Sequence, residues 1–242
     1  MTTPTDPSDI VLSIADGVAE LRLNRPHARN ALSVPLLRAL RGALHEIEAS
    51  REVRVVALTG AGKSFCAGAD LTEMDDVDVS LRRGLSVERG RLIESVLHAI
   101  ERLEQPTLAL VQGAAAGGGW GLALACDMTW AAVGTVFVLP EVAMGMPVAV
   151  TLGRRLAEVV GPQRAAAIVF GGERLAPERL AEMGAVTRIV APDDLHESGL
   201  DFARTLAGRD GRALTIAKMA IRSATGGPPP WRSDLAWPSA SG

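Results

Sequence analysis

Two glycine-rich loops each lie between an apolar run and a helix-forming run, and both have the composition of an anion-binding turn. The first loop, AGKSFCAGAD, follows VRVVALTG, and the second, AAAGGG, follows TLALVQG. A helix begins with backbone N–H groups that have no partner within the helix, so each turn presents donors at the positive end of a helix dipole. Such donors can bind a phosphate or an oxygen that gains negative charge during a reaction.

The motifs around these loops fit an oxyanion better than a phosphate. The chain has no GxxxxGK[ST] motif, and no GxGxxG follows a strand near its beginning. A structural alternative stays open, in which the glycines only allow a helix to pack closely on a strand. The three consecutive glycines at 117–119 need a physical reason in either case, because glycine inside a helix or strand costs roughly 0.5–1 kcal/mol relative to alanine.

Other residues of reactive types form no recognisable site. Cys66 and Cys126 are far apart and lack metal-ligand spacing, which favours a reducing compartment over a disulfide scaffold. Cys66 could be a nucleophile, but no histidine stands in a motif that would activate it, so we expect a small buried residue. The histidines form no cluster, and we expect no metal site. They are His27, His45, His98 and His196.

The elements that must position the two loops alternate between strands and helices. IVLSIADGVAELRLN predicts a hairpin that turns at Asp16–Gly17, and leucines at helical spacing after Ser33 and Pro35 predict a helix. Strands are expected at VRVVALTG and TLALVQG, a helix at GGGWGLALACDM and a returning strand over TWAAVGTVFVLP. Apolar residues from Leu92 to Leu103 predict a second long helix. Residues 72–87 lack clear periodicity and are expected to form a mobile surface segment.

The second half of the chain has a different character. Short helical runs broken by Gly and Pro begin at Leu152, and the short strand AVTRIVA precedes a helix expected from about Asp193 to Ala207. The tail GGPPPWRSDLAWPSASG is expected to be poorly ordered, since it is rich in Pro, Gly and Ser. Strands that alternate with helices predict an α/β fold.

Composition excludes several classes of function. The 242 residues are 48% hydrophobic with a net charge of −3, which allows a large core and argues against nucleic-acid binding. Asp127 is the only charged residue between Thr107 and Pro140, but the glycines and β-branched runs there favour buried strands over a membrane span. Residues 1–10 are polar and lack the features of a secretory signal. We therefore expect a soluble cytoplasmic protein with no membrane partner.

Four stretches of the sequence resemble the crotonase, or enoyl-CoA hydratase/isomerase, superfamily. RPHARNALS, VRVVALTGAGKSFCAGADL, PTLALVQGAAAGGGWGLALACDM and the run from VLPE through GAVTRIVAPDDL occur in the family's order and spacing. The resemblance implies a crotonase-like spiral of repeated ββα units over residues 1–195. It implies a helical C-terminal trimerisation region with a short Pro-rich tail over residues 196–242.

The resemblance also implies partners and substrates. Acyl-CoA thioesters are the expected substrates, with a role in fatty acid metabolism, and coenzyme A enters only as part of the substrate, with no other cofactor. The expected assembly is a homotrimer, or a hexamer formed as a dimer of trimers.

The resemblance assigns an oxyanion hole to the backbone N–H groups of Ala69, in CAGAD, and Gly118, in GGG. They would hold the thioester oxygen as it gains enolate charge, and one such donor typically contributes about 2.7–4 kcal/mol of transition-state stabilisation. Glycine is then expected at 118 because a β-carbon would push the thioester out of hydrogen-bond range. CoA and substrate contacts are expected from Arg25, Ala28, Arg29, Ala67, Asp70, Leu71, Gly117, Trp120 and Gly121. Trp120 could instead only fill space in the core.

The family's acid/base residues are only half present. Hydration in the family uses two glutamates, aligned here with Gly121 and Glu141, so only the second remains. Glu141 follows an apolar strand and a proline, and burial is expected to raise its pKa, unless it is a surface residue at the strand end. A single carboxylate suits proton transfer between two carbons of a dienolate. The resemblance therefore implies enoyl-CoA double-bond isomerisation, with hydration or dehydration open if Asp75, Asp76 or Asp78 moves in.

Two other activities are compatible with the resemblance, and the sequence departs from the family's usual pattern at two places. The protein could be a catalytically weak acyl-CoA-binding member or a decarboxylase of acyl thioesters, although such decarboxylases generally lack the carboxylate of Glu141. Val148, Ala149 and Val150 replace a glycine-rich turn that usually follows Glu141, which predicts a bulkier apolar wall over the acyl pocket. The Pro-rich tail replaces the usual final helix.

Overall fold

A β-hairpin begins the fold in the computed structural model, which describes residues 9–74 and 79–224. Strands β1 (Ile10–Ala15) and β2 (Val18–Leu23) pair antiparallel. Asp16 and Gly17 connect them with φ angles of 52° and 75°, which suit a tight two-residue turn. The predicted hairpin is confirmed.

Six strands form the main sheet, in the order β1-β2-β3-β4-β6-β8, and every pair after the hairpin is parallel. The strands after the hairpin are β3 (Val55–Gly60), β4 (Thr107–Val111), β5 (Ala114–Ala116), β6 (Met128–Ala132), β7 (Val136–Val138) and β8 (Arg188–Val190). Strands β5 and β7 pair parallel in a separate two-stranded sheet. The single strand predicted over TWAAVGTVFVLP is therefore wrong, because β6 and β7 belong to different sheets.

The helices connect and cover the strands. They are α1 (Val34–Ala49), α2 (Val79–Arg102), α3 (Gly118–Ala125), α4 (Val150–Val160), α5 (Pro162–Gly171), α6 (Pro177–Glu182), α7 (Leu195–Ala207) and α8 (Gly211–Ser223). As predicted, Ser33 caps α1, and its hydroxyl accepts a hydrogen bond of 3.2 Å from the Leu36 N–H.

The helix α2 corrects the sequence analysis, since residues 79–87 are helical and not an irregular segment. Its first turns contain Leu and Arg, which favour helix even without apolar periodicity. Asp75, Asp76 and Asp78 lie outside the described residues.

Both faces of the main sheet are covered, as expected for a parallel sheet. The large core packs between one face and helices α1 to α5, whereas Ala203 and Ala207 of α7 pack on Val55 and Ala57 of the other face. This arrangement confirms the predicted α/β class. The division at residue 195 stays a prediction. Within the described residues, no helix is both long enough and apolar enough to cross a bilayer.

A partly buried ionic cluster anchors α8 to the rest of the chain. The Asp127 cluster, as we call it, consists of Asp127, Lys218, Arg222 and Thr107. Lys218 Nζ lies 2.8 Å from Asp127 Oδ2, and Arg222 Nη2 lies 2.7 Å from Oδ1. The Thr107 N–H and hydroxyl also donate to Oδ2, at 2.8 and 2.9 Å. Although burial opposes ionisation, the two cations hold the pKa of Asp127 below its usual range.

Candidate active site

A cavity of about 400 Å³ lies where the two glycine-rich loops meet the segment after β7. Ala69, Gly118 and Glu141, the three residues predicted to be catalytic, all line it. Of the residues predicted to contact substrate, Ala67, Leu71 and Gly117 also line it. The rest of the wall is mostly apolar and includes Leu32, Leu37, Ile93, Pro140, Met144, Met146 and Pro147.

Backbone hydrogen bonds hold the two loops side by side. The Cys66 N–H donates to the Ala114 carbonyl at 3.0 Å, and the Ala116 N–H donates to the Cys66 carbonyl at 3.0 Å. On the other side of the first loop, an isolated parallel bridge joins Leu32 to Ala69. Neither the Ala69 nor the Gly118 N–H donates a hydrogen bond to another described residue. Both donors are therefore available to a ligand in the cavity.

Asn30 fixes the start of the first loop, and the sequence analysis missed it. Its fully buried amide donates to the carbonyls of Ala61 and Ser64, at 2.9 and 2.8 Å. Its Oδ1 accepts a hydrogen bond of 2.8 Å from the Arg25 N–H. An asparagine inside RPHARNALS was the available signal, because a short amide side chain can replace missing backbone partners in a loop.

The three consecutive glycines have different physical reasons. Gly117 has a φ of 51°, and a β-carbon there would lie 2.5 Å from Oε1 of Glu141. A β-carbon on Gly119 would lie 2.6 Å from the Cys66 carbonyl oxygen. At Gly118 its nearest neighbour would be the end of the Leu32 side chain, at 3.0 Å. Within the described residues, packing therefore requires glycine most strongly at 117 and 119. The reason predicted for glycine at 118, a thioester that lies against the chain, stays a prediction.

Glu141 presents a partly buried carboxylate to the cavity. Its Oε2 has no hydrogen-bond partner among the described residues, and burial raises the pKa of the carboxyl group, as the sequence predicts. Its backbone is well fixed, since the carbonyl accepts hydrogen bonds from the Met144 and Met146 N–H groups at 3.0 and 2.8 Å. A carboxylate with a buried, unpartnered oxygen beside a cavity is typical of an acid or base in catalysis.

Arg25 and Asp70 form an ion pair beside this cavity and not on its wall. Arg25 Nη1 lies 2.8 Å from Asp70 Oδ2, and both residues line a neighbouring cavity of about 490 Å³. Although burial opposes it, hydrogen bonds from Thr72 and Arg25 lower the pKa of Asp70. Ala28 and Arg29 do not line the Glu141 cavity either. The contacts of these four residues with CoA stay predictions.

Trp120 and Gly121 are buried in the core and do not line the cavity. The Trp120 ring packs on Phe137, with ring centroids 5.5 Å apart. A β-carbon on Gly121 would lie 3.0 Å from Leu152 Cδ1 and 3.4 Å from Leu97 Cδ1. Leucine side chains therefore occupy the space into which a larger residue at 121 would extend, and the packing role expected as the alternative for Trp120 fits its surroundings.

The wall after Glu141 is only partly as expected. Ala149 lines the cavity, but Val150 is 78% exposed at the start of α4. Met144, Met146 and Pro147 form the apolar wall in this region. The prediction of a bulky apolar wall formed by Val148, Ala149 and Val150 is therefore wrong at Val150, because the Val150 side chain points to solvent.

Arg89 of α2 is a second charged residue on the cavity wall that the sequence analysis missed. It is buried, and its Nη1 donates a hydrogen bond of 2.8 Å to the carbonyl of Asp70, the residue after Ala69. Nη1 also lies 3.7 Å from Oε2 of Glu73. Because the residues before Leu92 show no apolar periodicity, nothing in the sequence placed this arginine at the site.

Metal and thiol chemistry have no recognisable centre in the part of the chain that the structure describes. No three or more His, Cys, Asp or Glu side chains there are arranged to hold a metal ion. Cys66 and Cys126 are buried, and burial raises the pKa of each thiol to about 12. Both are therefore protonated at neutral pH, which agrees with a packing role.

Known proteins share both the sequence and the fold. The family model described as enoyl-CoA hydratase/isomerase matches residues 13–229. A short-chain-enoyl-CoA hydratase of Clostridium acetobutylicum is 33% identical over 215 residues, which are 88% of this chain and 81% of the relative. A 2,3-dehydroadipyl-CoA hydratase of Escherichia coli is 33% identical over 215 residues, covering 89% of this chain and 82% of the relative.

A solved structure supports membership of the same family. The crystal structure of an enoyl-CoA hydratase from Bacillus anthracis matches with a TM-score of 0.83 and 33% identity, covering 91% of this chain and 84% of that chain. The predicted crotonase-like fold is thereby confirmed. The chain belongs to the enoyl-CoA hydratase/isomerase family of the crotonase superfamily and is an enzyme that processes acyl-CoA thioesters.

Proposed function

We propose that this enzyme moves the double bond of a 3-enoyl-CoA to the 2 position, with Glu141 as its single acid/base. One observation carries the proposal. Among the described residues that line the cavity, Glu141 is the only one with a carboxyl group. Isomerisation needs one group that takes a proton and returns it elsewhere, and it neither consumes nor releases water.

The reaction divides into two proton transfers. The Glu141 carboxylate takes a proton from C2, and the electron pair of that C–H bond moves toward the thioester, which gives a dienolate. The N–H groups of Ala69 and Gly118 hydrogen-bond the thioester oxygen as it becomes negative. The protonated Glu141 then gives its proton to C4, which forms the double bond between C2 and C3 and restores both the neutral thioester and the Glu141 carboxylate. The raised pKa of Glu141 makes it a better base toward carbon than an exposed glutamate.

Hydration is the second candidate, and the names of the matched relatives favour it. Several are hydratases, including those of C. acetobutylicum and E. coli. Hydration requires a second group to orient or deprotonate water. In the described structure the space beside Gly121 is filled by Leu152 and Leu97, so a second carboxylate would have to come from outside the described residues.

The two reactions separate in one product analysis. The purified enzyme is incubated in turn with 3-enoyl-, 2-enoyl- and 3-hydroxyacyl-CoA, and the CoA esters are resolved by liquid chromatography and identified by mass spectrometry. We expect 3-enoyl-CoA to give 2-enoyl-CoA without formation of the 3-hydroxy ester. Conversion of 2-enoyl-CoA to 3-hydroxyacyl-CoA at an equal or higher rate would overturn the proposal in favour of hydration.

A variant tests the role of Glu141. We expect Glu141→Gln to lower the isomerisation rate by about 10²–10⁴-fold, the usual contribution of a positioned acid/base. Calorimetry should show that the variant still binds a saturated acyl-CoA. Glu178→Gln, which changes an exposed glutamate of α6, is the matched control. An unchanged rate in Glu141→Gln refutes its assignment, and binding without turnover in the unmodified enzyme indicates a catalytically weak acyl-CoA-binding member.

A further inference from the structure

Gly90 stands inside helix α2 without a packing reason for being glycine. No heavy atom of the described residues lies within 4 Å of the place where its β-carbon would be. Glycine is among the least favourable residues for a helix interior, because it gives up the most backbone freedom. The helix would be more stable with almost any unbranched side chain at this position.

Its place on the cavity wall distinguishes Gly90 from similar glycines. Gly42 of α1 and Gly153 of α4 also lie inside helices with no described neighbour within 4 Å of a β-carbon. Of the three, only Gly90 lines the Glu141 cavity. It shares that wall with Arg89 and Ile93, which lie on the same side of α2 by helical spacing. Gly90 lines the cavity at an exposed position, so a side chain there would narrow this part of the cavity.

The contact between α2 and Gly118 indicates how far Gly90 lies from the proposed thioester site. Ile93 Cδ1 lies 3.4 Å from where a β-carbon of Gly118 would be, so α2 comes close to the proposed thioester site at Ile93. Gly90 precedes Ile93 by three residues, or about 4.5 Å along the helix axis. An acyl chain that begins at Gly118 and follows α2 passes Ile93 first and reaches Gly90 only if it is long.

We propose that Gly90 is a specificity-determining residue that leaves room for an apolar acyl chain of more than four carbons. The inference rests on the proposed function, because it takes the thioester to lie at Gly118. Leu37, Leu71 and Ile93 line the same cavity and give an alkyl chain apolar contacts. Arg89, the charged neighbour, directs its Nη1 to the carbonyl of Asp70.

Chain-length selectivity tests the inference with a matched pair of variants. The quantity measured is the ratio of kcat/KM for a ten-carbon 3-enoyl-CoA to that for the four-carbon one. We expect this ratio to exceed one for the unmodified enzyme. Gly90→Leu should lower the ratio by at least about tenfold, because changes of a few carbons in an apolar pocket have effects of this size. Gly42→Leu should leave the ratio within about twofold. Thermal unfolding of both variants, with midpoints no lower than that of the unmodified protein, confirms that they fold.

Each remaining result has a definite meaning. An unchanged ratio in Gly90→Leu, or an unmodified enzyme that prefers the four-carbon ester, overturns the inference. Absence of turnover with every substrate refutes the proposed function instead. Calorimetric binding of saturated four- and ten-carbon acyl-CoA then decides the inference separately, since Gly90→Leu should weaken binding of the longer ester selectively.

Discussion

Asp127 and Glu141 are two partly buried carboxylates whose pKa values shift in opposite directions. Asp127 is surrounded by Lys218, Arg222 and Thr107, and its pKa is held below the usual range. Glu141 has a buried oxygen with no partner among the described residues, and burial raises its pKa. The penalty for burial acts on both groups, and only the neighbouring charges decide its outcome.

This difference separates a structural carboxylate from a chemical one. Removal of water from an ion is costly, and partners such as those of Asp127 compensate for it. At Glu141 the cost remains, so the carboxyl group stays ready to exchange a proton. No partner among the described residues offsets the desolvation cost at Glu141, and this cost raises its pKa. A raised pKa is what the proposed acid/base role requires.

The largest expected effect is a contrast in stability between the two sites. We expect Asp127→Asn to lower the free energy of unfolding by about 3–5 kcal/mol, because it leaves the buried Lys218 without its anion. Glu141→Gln should leave it within about 1 kcal/mol or raise it, since the substitution removes a buried charge without breaking an ion pair. Urea denaturation followed by circular dichroism measures both.

The control for this contrast is an exposed ion pair. Asp201 contacts Arg204 on the surface of α7, and Asp201→Asn should change the free energy of unfolding by less than about 1 kcal/mol. A loss of several kcal/mol in Glu141→Gln would mean that Glu141 has a structural partner, and the comparison would fail.

A smaller effect is expected from a change that moves Glu141 without removing it. In Gly117→Ala the new β-carbon would lie 2.5 Å from Oε1, so the carboxylate must shift. We expect a loss of activity of about 10–100-fold, because a misplacement of the order of 1 Å has effects of this size. Gly42→Ala should cost less, since no described heavy atom lies within 4 Å of the place of its β-carbon. Steady-state rates for the two variants test this order, and equal losses would contradict it.

The smallest effect is a separation between two acid transitions. The pKa of Asp127 is depressed in the folded state, so its stabilisation is present above the unfolded value of about 3.9 and is lost as pH falls through the lower folded pKa. The pKa of Glu141 is raised above its ordinary 4.5, so the folded enzyme loses its carboxylate base at a higher pH. On acidification, activity should disappear before the fold does.

Parallel titrations check this order. Reaction rate and circular dichroism are followed on the same samples as pH is lowered, and activity should return when an inactive, folded sample is brought back to neutral pH. Simultaneous loss of rate and structure would show that Glu141 does not control the acid limb.

Local patterns in the sequence predicted local structure well. The hairpin of β1 and β2, the Ser33 cap of α1 and the strands β3 and β4 follow from alternation, capping and apolar runs over a few residues. The small sheet of β5 and β7 was missed because Ala114–Ala116 forms a strand only through pairing with Val136–Val138. Such pairing depends on contacts that a short window of sequence does not contain.

The same limit applied to the site. The resemblance to a known family supplied Ala69, Gly118 and Glu141, and all three line one cavity. Arg89 was missed because its part of α2 lacks an apolar pattern. The partners of Asp127 could not be predicted from a short stretch of sequence either, since Arg222 lies 95 residues further along the chain.

The proposed oxyanion donors belong to the main chain, and this has a consequence for how the enzyme can change over generations. A substitution at position 69 alters a side chain but leaves the N–H in place, with proline as the exception, whereas position 118 also requires the small size of glycine beside the thioester. The side chains that shape the rest of the cavity come from α2 and from the segment after Glu141, and they do not bind the thioester oxygen in the proposed mechanism. Mutation can therefore alter which acyl group fits while charge stabilisation persists, so that new substrates become accessible without rebuilding the chemistry.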